Sequence, residues 1–532
     1  MNRKNKSTFG FCIAVGLITL SSCTKNFKEY NTNETALSNE QISADYQNLG
    51  EPLKLAQLNI ISYVDWIYQL EQNLIGDIYS GYMMTATPFR NNVNNTNYFL
   101  VNGWNFYEWD YSYGNVMKPI QNVLDITTEP QYGSFRAWAK ILRVEAMHRV
   151  SDMYGPVIYT NYGKSNQDGS VSFDSQKDAY YAFFRDLDSA ITILTPLVQS
   201  GAPGTFTKFD LVYGGSFTKW LKFANTLRLR LAMRISKADP VKAKAEGEAA
   251  LSNPGGLLVN NSDNAYVDIG TNYQPLSSQS GITSWGDINI GAPLACYLNG
   301  YNDPREAKYI NKATDAAVAG QYIGIRNGID IDANGRYVGY STLVDFPNRM
   351  QLMVAAEAWF LKAEAALKGW TGAGDAKTDY ETGISTSFGL YGLNASAYIA
   401  DNASVEQQYI DPKAITPGQN NVLTGSPYLS TITIAWNNGD TPERKLERVI
   451  TQKWLAIFPD GQEAWSEFRR TGYPKLFPVV LNKSGGTIST SAFVQRINFP
   501  TTEIGKNPNG VAAAVGMLGG PDTGGTPLWW AK

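Results

Sequence analysis

A chain of 532 residues with one histidine and three cysteines is short of two kinds of chemistry. His148 alone cannot supply a histidine-based zinc site, and any Ser-His-Asp triad would depend on it. It sits mid-helix in RAWAKILRVEAMHRVSDMYG, where packing or capping is the expected role. Cys12 and Cys23 both lie near the N-terminus, which leaves Cys296 alone. No disulfide is expected in the mature chain, so stability must come from a large core. Charge is sparse too, at 17% of residues and a net −3. Without a basic face, nucleic acid is excluded as a partner. The apolar run from Phe9 to Leu20 falls short of the about 20 residues that a membrane-spanning helix needs.

That run follows Arg3, Lys4 and Lys6 and precedes small residues, the layout of an export signal over residues 1–22. Leu20-Ser21-Ser22-Cys23 resembles the bacterial lipobox. Cys23 is therefore expected to carry lipid after cleavage, with a polar tether over 23–50 and one domain over 51–532.

Aromatics, by contrast, are plentiful. They make up 12% of the chain, with 13 Trp and 31 Tyr, more than a core usually absorbs, so some belong on the surface. Helical periodicity is clear from Arg349 to Trp370, where Met353, Ala356, Phe360, Ala363 and Leu367 form one stripe and Gly369 supplies the stop. Glu357 and Glu364 share a face there and are expected to pair with scaffold arginines such as those in LRLRLAMR. Further helices are predicted at 52–82, with Leu55, Leu58, Ile61, Ile67 and Leu70 facing inward, and at 135–154, 179–197, 217–236, 241–251, 376–388, 444–458 and 463–470. Arg469 and Arg470 are expected to pair with Glu463 and Glu467 on a helix surface. The fold class is mostly α. Tetratricopeptide-like helical hairpins, at about 51–252, 349–390 and 441–474, form a scaffold. Loop-rich insertions at about 89–113, 253–348 and 391–440 build a second lobe with short strands, and the tail is rich in Gly and Pro.

Two stretches mix exposed-looking rings with hydrogen-bonding side chains, the combination that holds a sugar by its apolar faces and its hydroxyls. One is the segment 89–113, read as an exposed loop, with Arg90, Asn97, Tyr98, Trp104 and Trp109. The other is in 253–348, with Tyr273 and Trp285. At least one of Trp104, Trp109 and Trp285 should be exposed. Asp330, Asp332 and Asn334 begin like a calcium loop, but Ser341 stands where its last carboxylate belongs, and Asn334-Gly335 between strand-like flanks favours a hairpin turn. No metal, cofactor or catalytic residue is assigned.

Several stretches together resemble the SusD/RagB lipoproteins: Cys23 with its lipobox, HRVSDMYGPVIY, FANTLRLRLAMRIS, AEAWFLKAEAALKGW, ITQKWLAIFPDGQEAWSEFRRTGYP, RINFPTTEIGKNPNG and the ending Leu528-Trp529-Trp530. The resemblance implies an outer-membrane, lipid-anchored protein facing the cell exterior. Such a protein captures a nutrient, most often an oligosaccharide, for a SusC-like TonB-dependent transporter. It implies no ligand identity and no binding residues. A glycoside hydrolase, or a scaffold that binds only the transporter, are the alternatives to be tested.

Overall fold

The computed structural model describes residues 44–532, so Cys23 and the lipobox lie outside the described residues. Residues 1–49 and 50–532 are two units. Of the first, only a single turn at Ala44–Tyr46 and the opening of α1 (Gln47–Asn59) are described. All other described elements belong to the second.

After α1 comes α2 (Asp65–Tyr68), which continues as a wide π-type segment, Gln69–Asp77. Then follow α3 (Tyr107–Tyr111), α4 (Lys118–Ile126), α5 (Gly133–Tyr154), α6 (Gln176–Gln199), α7 (Phe217–Arg234) and α8 (Pro240–Ser252). The middle of the chain holds α9 (Gly281–Ser284), α10 (Ala292–Gly300) and α11 (Glu306–Tyr309). Next are α12 (Ala355–Leu367), α13 (Ala376–Leu390), α14 (Ser396–Ile399), α15 (Pro442–Ala456) and α16 (Gly461–Thr471). The tail adds α17 (Thr501–Lys506) and α18 (Pro508–Leu518). Helix starts follow local chemistry. Ser175, Ser216, Asp239, Asp375, Thr441 and Asp460 each accept a hydrogen bond from a first-turn N–H, which satisfies an otherwise orphan donor. Pro240 and Pro442 stand where no N–H is needed.

The hairpins form as expected: α5 packs on α6, α7 on α8, α12 on α13, and α15 on α16. α7 and α15 also touch α12, which puts the Ala-rich helix at the centre of the scaffold. Its close approach to α13 depends on Gly383, where a Cβ would come within 3.0 Å of the Phe360 ring. The fold is the mostly helical, tetratricopeptide-like one read from the sequence.

Three local expectations need correction. Arg349–Met353 is a strand, not the first turn of α12. Met350 and Leu352 are buried while Arg349 and Gln351 are half-exposed, a period of two, and the helix begins only after the extended Val354. With β1 (Met83–Met84), β2 (Ala265–Asp268) and β3 (Asn289–Ile290), this strand, β4, makes two antiparallel pairs, β1 with β3 and β2 with β4. In α1, Leu55 is 49% exposed, and the inward line is Leu53, Ala56 and Ile60. Asp330 to Gly335 makes a turn without flanking strands. Its neighbours Ile329, Ile331, Tyr337 and Tyr340 are drawn into a hydrophobic cluster instead. Asp332 pairs with Arg336, and Asp330 accepts a hydrogen bond from Asn92.

Between α5, α7, α12, α15 and α16 lies a buried ionic network. Arg230 forks onto Glu357 at 2.8 and 2.6 Å, and Arg470 onto Glu364 at 2.7 and 2.6 Å. Arg234 reaches Glu463 and Glu467, Arg149 reaches Asp460, and Lys453 lies among Glu357, Glu463 and Glu467. Glu357 thus pairs with LRLRLAMR as expected, whereas Glu364 takes its arginine from α16. Arg469 and Arg470 are also not on a surface: both are buried, and Arg469 donates to the carbonyls of Asp152 and Gln495. With Glu145 and Asp152, which lie against Arg149, Arg230 and Arg234, carboxylates outnumber the paired guanidinium and ammonium groups of this network. Two groups have their pKa values raised there. His148, between Glu145 at 3.4 Å and Asp152 at 3.6 Å, has its pKa lowered by burial but raised further by both carboxylates, ending above its usual value. Glu463 is pushed up by burial despite Arg234.

Candidate functional site

The π-type segment after α2 and the helix α3 face each other through buried carboxylates. Glu71 accepts from the Ser62 N–H at 2.7 Å, and Glu108 accepts from Gln72 at 3.2 Å and Ser112 at 3.3 Å. Burial, then proximity to Glu108, pushes Glu71 well up; burial pushes Glu108 and Asp77 up to about 7.

Above this base the chain exposes rings. Trp66, on α2, is 43% exposed and meets the edge of Tyr107 at 5.6 Å between centroids; Tyr107 in turn stacks on Phe106 at 4.3 Å. Trp285, just after α9, is 61% exposed. One carboxylate holds both tryptophan-bearing turns. Asp65 accepts from the Trp66 N–H at 2.7 Å through Oδ1 and from the Gly281 N–H at 3.0 Å through Oδ2. Gly281 leaves room for this contact. A Cβ there would lie 2.5 Å from Asp65 Oδ2 and 3.1 Å from the Trp285 ring. Asp287, two residues beyond Trp285, is tied to Gln69 at 3.0 Å and to Thr87, which fastens this loop to the π segment. The result is two exposed rings on turns that touch, a ledge fastened at Asp65 and Asp287. Its chemistry suits a ligand with flat apolar faces.

The residues predicted from sequence divide. Trp285 and Tyr273 are exposed, Tyr273 by 53%, and so is Arg90. Trp104 is half-buried, edge-on to Phe89 at 5.7 Å. Asn97, Tyr98 and Trp109 are buried and do not present a binding face. Trp109 packs among Tyr113, Tyr154, Phe173 and Phe499. Asn97 donates to the carbonyls of Ile329 and Leu481, and Tyr98 packs on Tyr79. The segment 89–113 is therefore not an exposed loop. Its asparagines replace the missing sheet and helix bonds: Asn95 donates to the Leu74 carbonyl and to Asn105, and Asn91 and Asn92 take positive φ.

A family model described as SusD-like, Susd and RagB outer membrane lipoprotein, matches residues 29–531. The chain belongs to the SusD-like family. Among solved structures, it is similar to a chitin-binding SusD homologue from Flavobacterium johnsoniae, with 41% identity, a TM-score of 0.85 and coverage of 91% of this chain and 99% of that one. It is also similar to SusD homologues from Bacteroides vulgatus (36%, TM-score 0.83, coverage 92% and 98%) and Bacteroides uniformis (34%, TM-score 0.83, coverage 91% and 99%). No curated protein matches. As a SusD-like protein, the chain falls among outer-membrane lipoproteins that bind glycans and act with outer-membrane transporters. No helix among the described residues is long and apolar enough to cross a membrane.

In this SusD-like chain, sequence reasoning missed Trp66 and Asp65. A signal existed: Trp66 lies off the line of Ile67, Leu74 and Ile78, which are buried, so a large ring was left on the outer side of the helix. Among the described residues no cluster of His, Cys, Asp or Glu is placed to hold a metal. Cys296 is free and buried.

The carboxylates set a pH dependence. In Glu145, Asp152, Glu357 and Glu467 burial would raise the pKa, but the facing cations, led by Arg149, Arg234, Arg230 and Arg470 in turn, outweigh it, and Glu145 falls to about 2. Their stabilisation is present above the ordinary carboxylate range and is lost as pH falls through their lowered values. For Glu71, Asp77, Glu108 and His148 the folded pKa is raised. Their contribution is present below the unfolded values and is lost as pH rises, through about 7 for Asp77 and Glu108 and through the raised values of Glu71 and His148. Urea midpoints should therefore peak near about pH 5 and decline toward pH 8, each tenfold change in a protonation equilibrium counting about 1.4 kcal/mol. Glu108→Gln should flatten the decline; an unchanged slope would remove this pair from the account.

Proposed function

We propose that this protein captures an oligosaccharide on the Trp66–Trp285 ledge and delivers it to a SusC-like TonB-dependent transporter, while lipid on Cys23 anchors it to the outer membrane with the ledge facing the cell exterior. The reading is carried by one observation: two exposed tryptophans held on neighbouring turns by a single carboxylate, Asp65. Indole faces stack on the apolar C–H faces of sugars, and an open ledge accepts an extended chain where a closed pocket accepts an end. β-Linked chito-oligosaccharides are the first ligands to try, a choice supported by the chitin-binding relative from Flavobacterium johnsoniae. The carboxylates nearest the rings favour holding over cleaving. Asp65 is occupied by two backbone N–H groups, and Asp287 by Gln69 and Thr87.

Calorimetry of the non-lipidated chain with chitotetraose, maltotetraose and a tetrapeptide tests the reading. Saturable heat with a sugar supports it; no heat with either sugar, or release of reducing ends from a polysaccharide, would overturn it. The anchor is tested apart. Cys23→Ala should release the protein from the membrane fraction and abolish labelling by radioactive palmitate, and firm attachment of that variant would contradict the assignment.

A further inference from the structure

We propose a second ligand site, for the carboxylate of an acidic sugar unit, in the cavity beside β4, with Arg349 as its anchor. The cavity, of ≈ 360 Å³, opens between β2, β4 and the segment 345–347, and its walls are the rings of Tyr266, Phe346, Tyr391 and Phe458. This volume lies within the range of small-ligand sites, about 300–1,000 Å³.

Its polar groups are mismatched in a way that a ligand would correct. The Arg349 guanidinium stacks on Tyr266, 3.7 Å from the ring centroid, and has no carboxylate within ion-pair distance among the described residues. Across the register, Arg349 faces Asp268, whose carboxylate instead accepts from the Gly270 N–H. Lys308 lines the same cavity and is likewise unpaired among the described residues. Gln274 is 5% exposed. Its Oε1 accepts from the Leu276 N–H at 3.2 Å, and its Nε2 has no hydrogen-bond partner among the described residues. The cavity's one carboxylate, Asp345, accepts from the Ser277 hydroxyl and from the Ser278 N–H and hydroxyl, so it holds the 272–287 loop.

Two cations and an unpaired amide donor therefore lie beside aromatic walls, against one carboxylate that already has its partners. A stacked guanidinium keeps its fork oriented, and that fork matches the planar geometry of a carboxylate. Gln351 donates to the Ile457 carbonyl at 2.7 Å, which leaves its Oε1 free to accept from a ring hydroxyl. Rings for C–H faces, a fork for a carboxylate and an acceptor for a hydroxyl together describe a uronic acid unit. The site is distinct from the ledge, although the loop that brings Gln274 to it runs on to Trp285.

Calorimetry of the non-lipidated chain with trigalacturonate, and with its methyl ester as a neutral control, tests the proposal. The acid should bind saturably and the ester at least tenfold more weakly. Arg349→Gln should weaken the acid about tenfold, and Lys308→Gln about threefold with an unchanged melting temperature. Excess chitotetraose should not displace the acid. Failure of the acid to bind, equal affinity for the ester, or displacement by chitotetraose would overturn the second site, as would unchanged affinity in both variants. If Arg349→Gln does not fold, Lys308→Gln decides alone, because its side chain is exposed.

Discussion

Replacing Trp66 and Trp285 together by alanine is expected to abolish measurable oligosaccharide binding while leaving the urea midpoint within error of the parent. Trp285 is 61% exposed and Trp66 43%, and neither belongs to the buried core, so little core is lost. Central aromatic anchors typically cost about 2 kcal/mol or more when truncated, roughly a thirtyfold loss each. Two further variants tell position from presence. Asp65→Ala removes no ring, yet it frees both turns that Asp65 holds, and it should weaken binding with both tryptophans still in place. Gly281→Ala should do the same by pushing on Asp65 and on the Trp285 ring. Trp109→Ala supplies the contrast. Its ring is buried among four others, so it should lower stability by roughly 3–5 kcal/mol and leave the affinity of the folded fraction intact. Unchanged affinity in the double tryptophan variant would remove the ledge from the account.

The second large effect concerns the scaffold. Glu357→Ala should destabilise the protein by roughly 3–5 kcal/mol, because Arg230 and Lys453 would be left buried without their shared carboxylate. Adding Arg230→Met to Glu357→Leu should restore most of that loss, since an apolar pair avoids the desolvation cost that the ion pair must offset. Urea midpoints of the two single variants and the double variant decide it. Strict additivity would mean that the two side chains do not act as a pair. Sugar binding by the folded protein should be the same in all of them, because the network lies among scaffold helices and contributes no atom to the ledge.

The central helix is legible in the chain alone. Ala356, Phe360 and Ala363 repeat at helical spacing, and Glu357 on that helix calls for a buried cation, which Arg230 supplies. The stretch just before it is ambiguous, because Met350 and Leu352 also fit a helical stripe. Only the partner strand Ala265–Asp268 shows which period applies. The same limit explains the segment 89–113. Asparagines next to rings describe a sugar site and a well-bonded interior loop equally well, since Asn satisfies a buried carbonyl as readily as it does a hydroxyl. Burial separates them, and it places Asn97, Tyr98 and Trp109 inside. In the tail, scattered glycines and prolines mask α17 and α18, although Pro508 stands at a helix start, where proline is tolerated.

By itself the sequence determined the helical scaffold, the free Cys296 and the likeness to SusD/RagB lipoproteins, because periodicity, residue counts and short motifs are properties of the chain. Tertiary structure decided which aromatics are offered to a ligand and which ones pack. Trp66 and Trp285 are more than two hundred residues apart, and no spacing rule joins them. Their turns are brought into contact where Asp65 accepts hydrogen bonds from both, a contact that exists once the two segments have folded together.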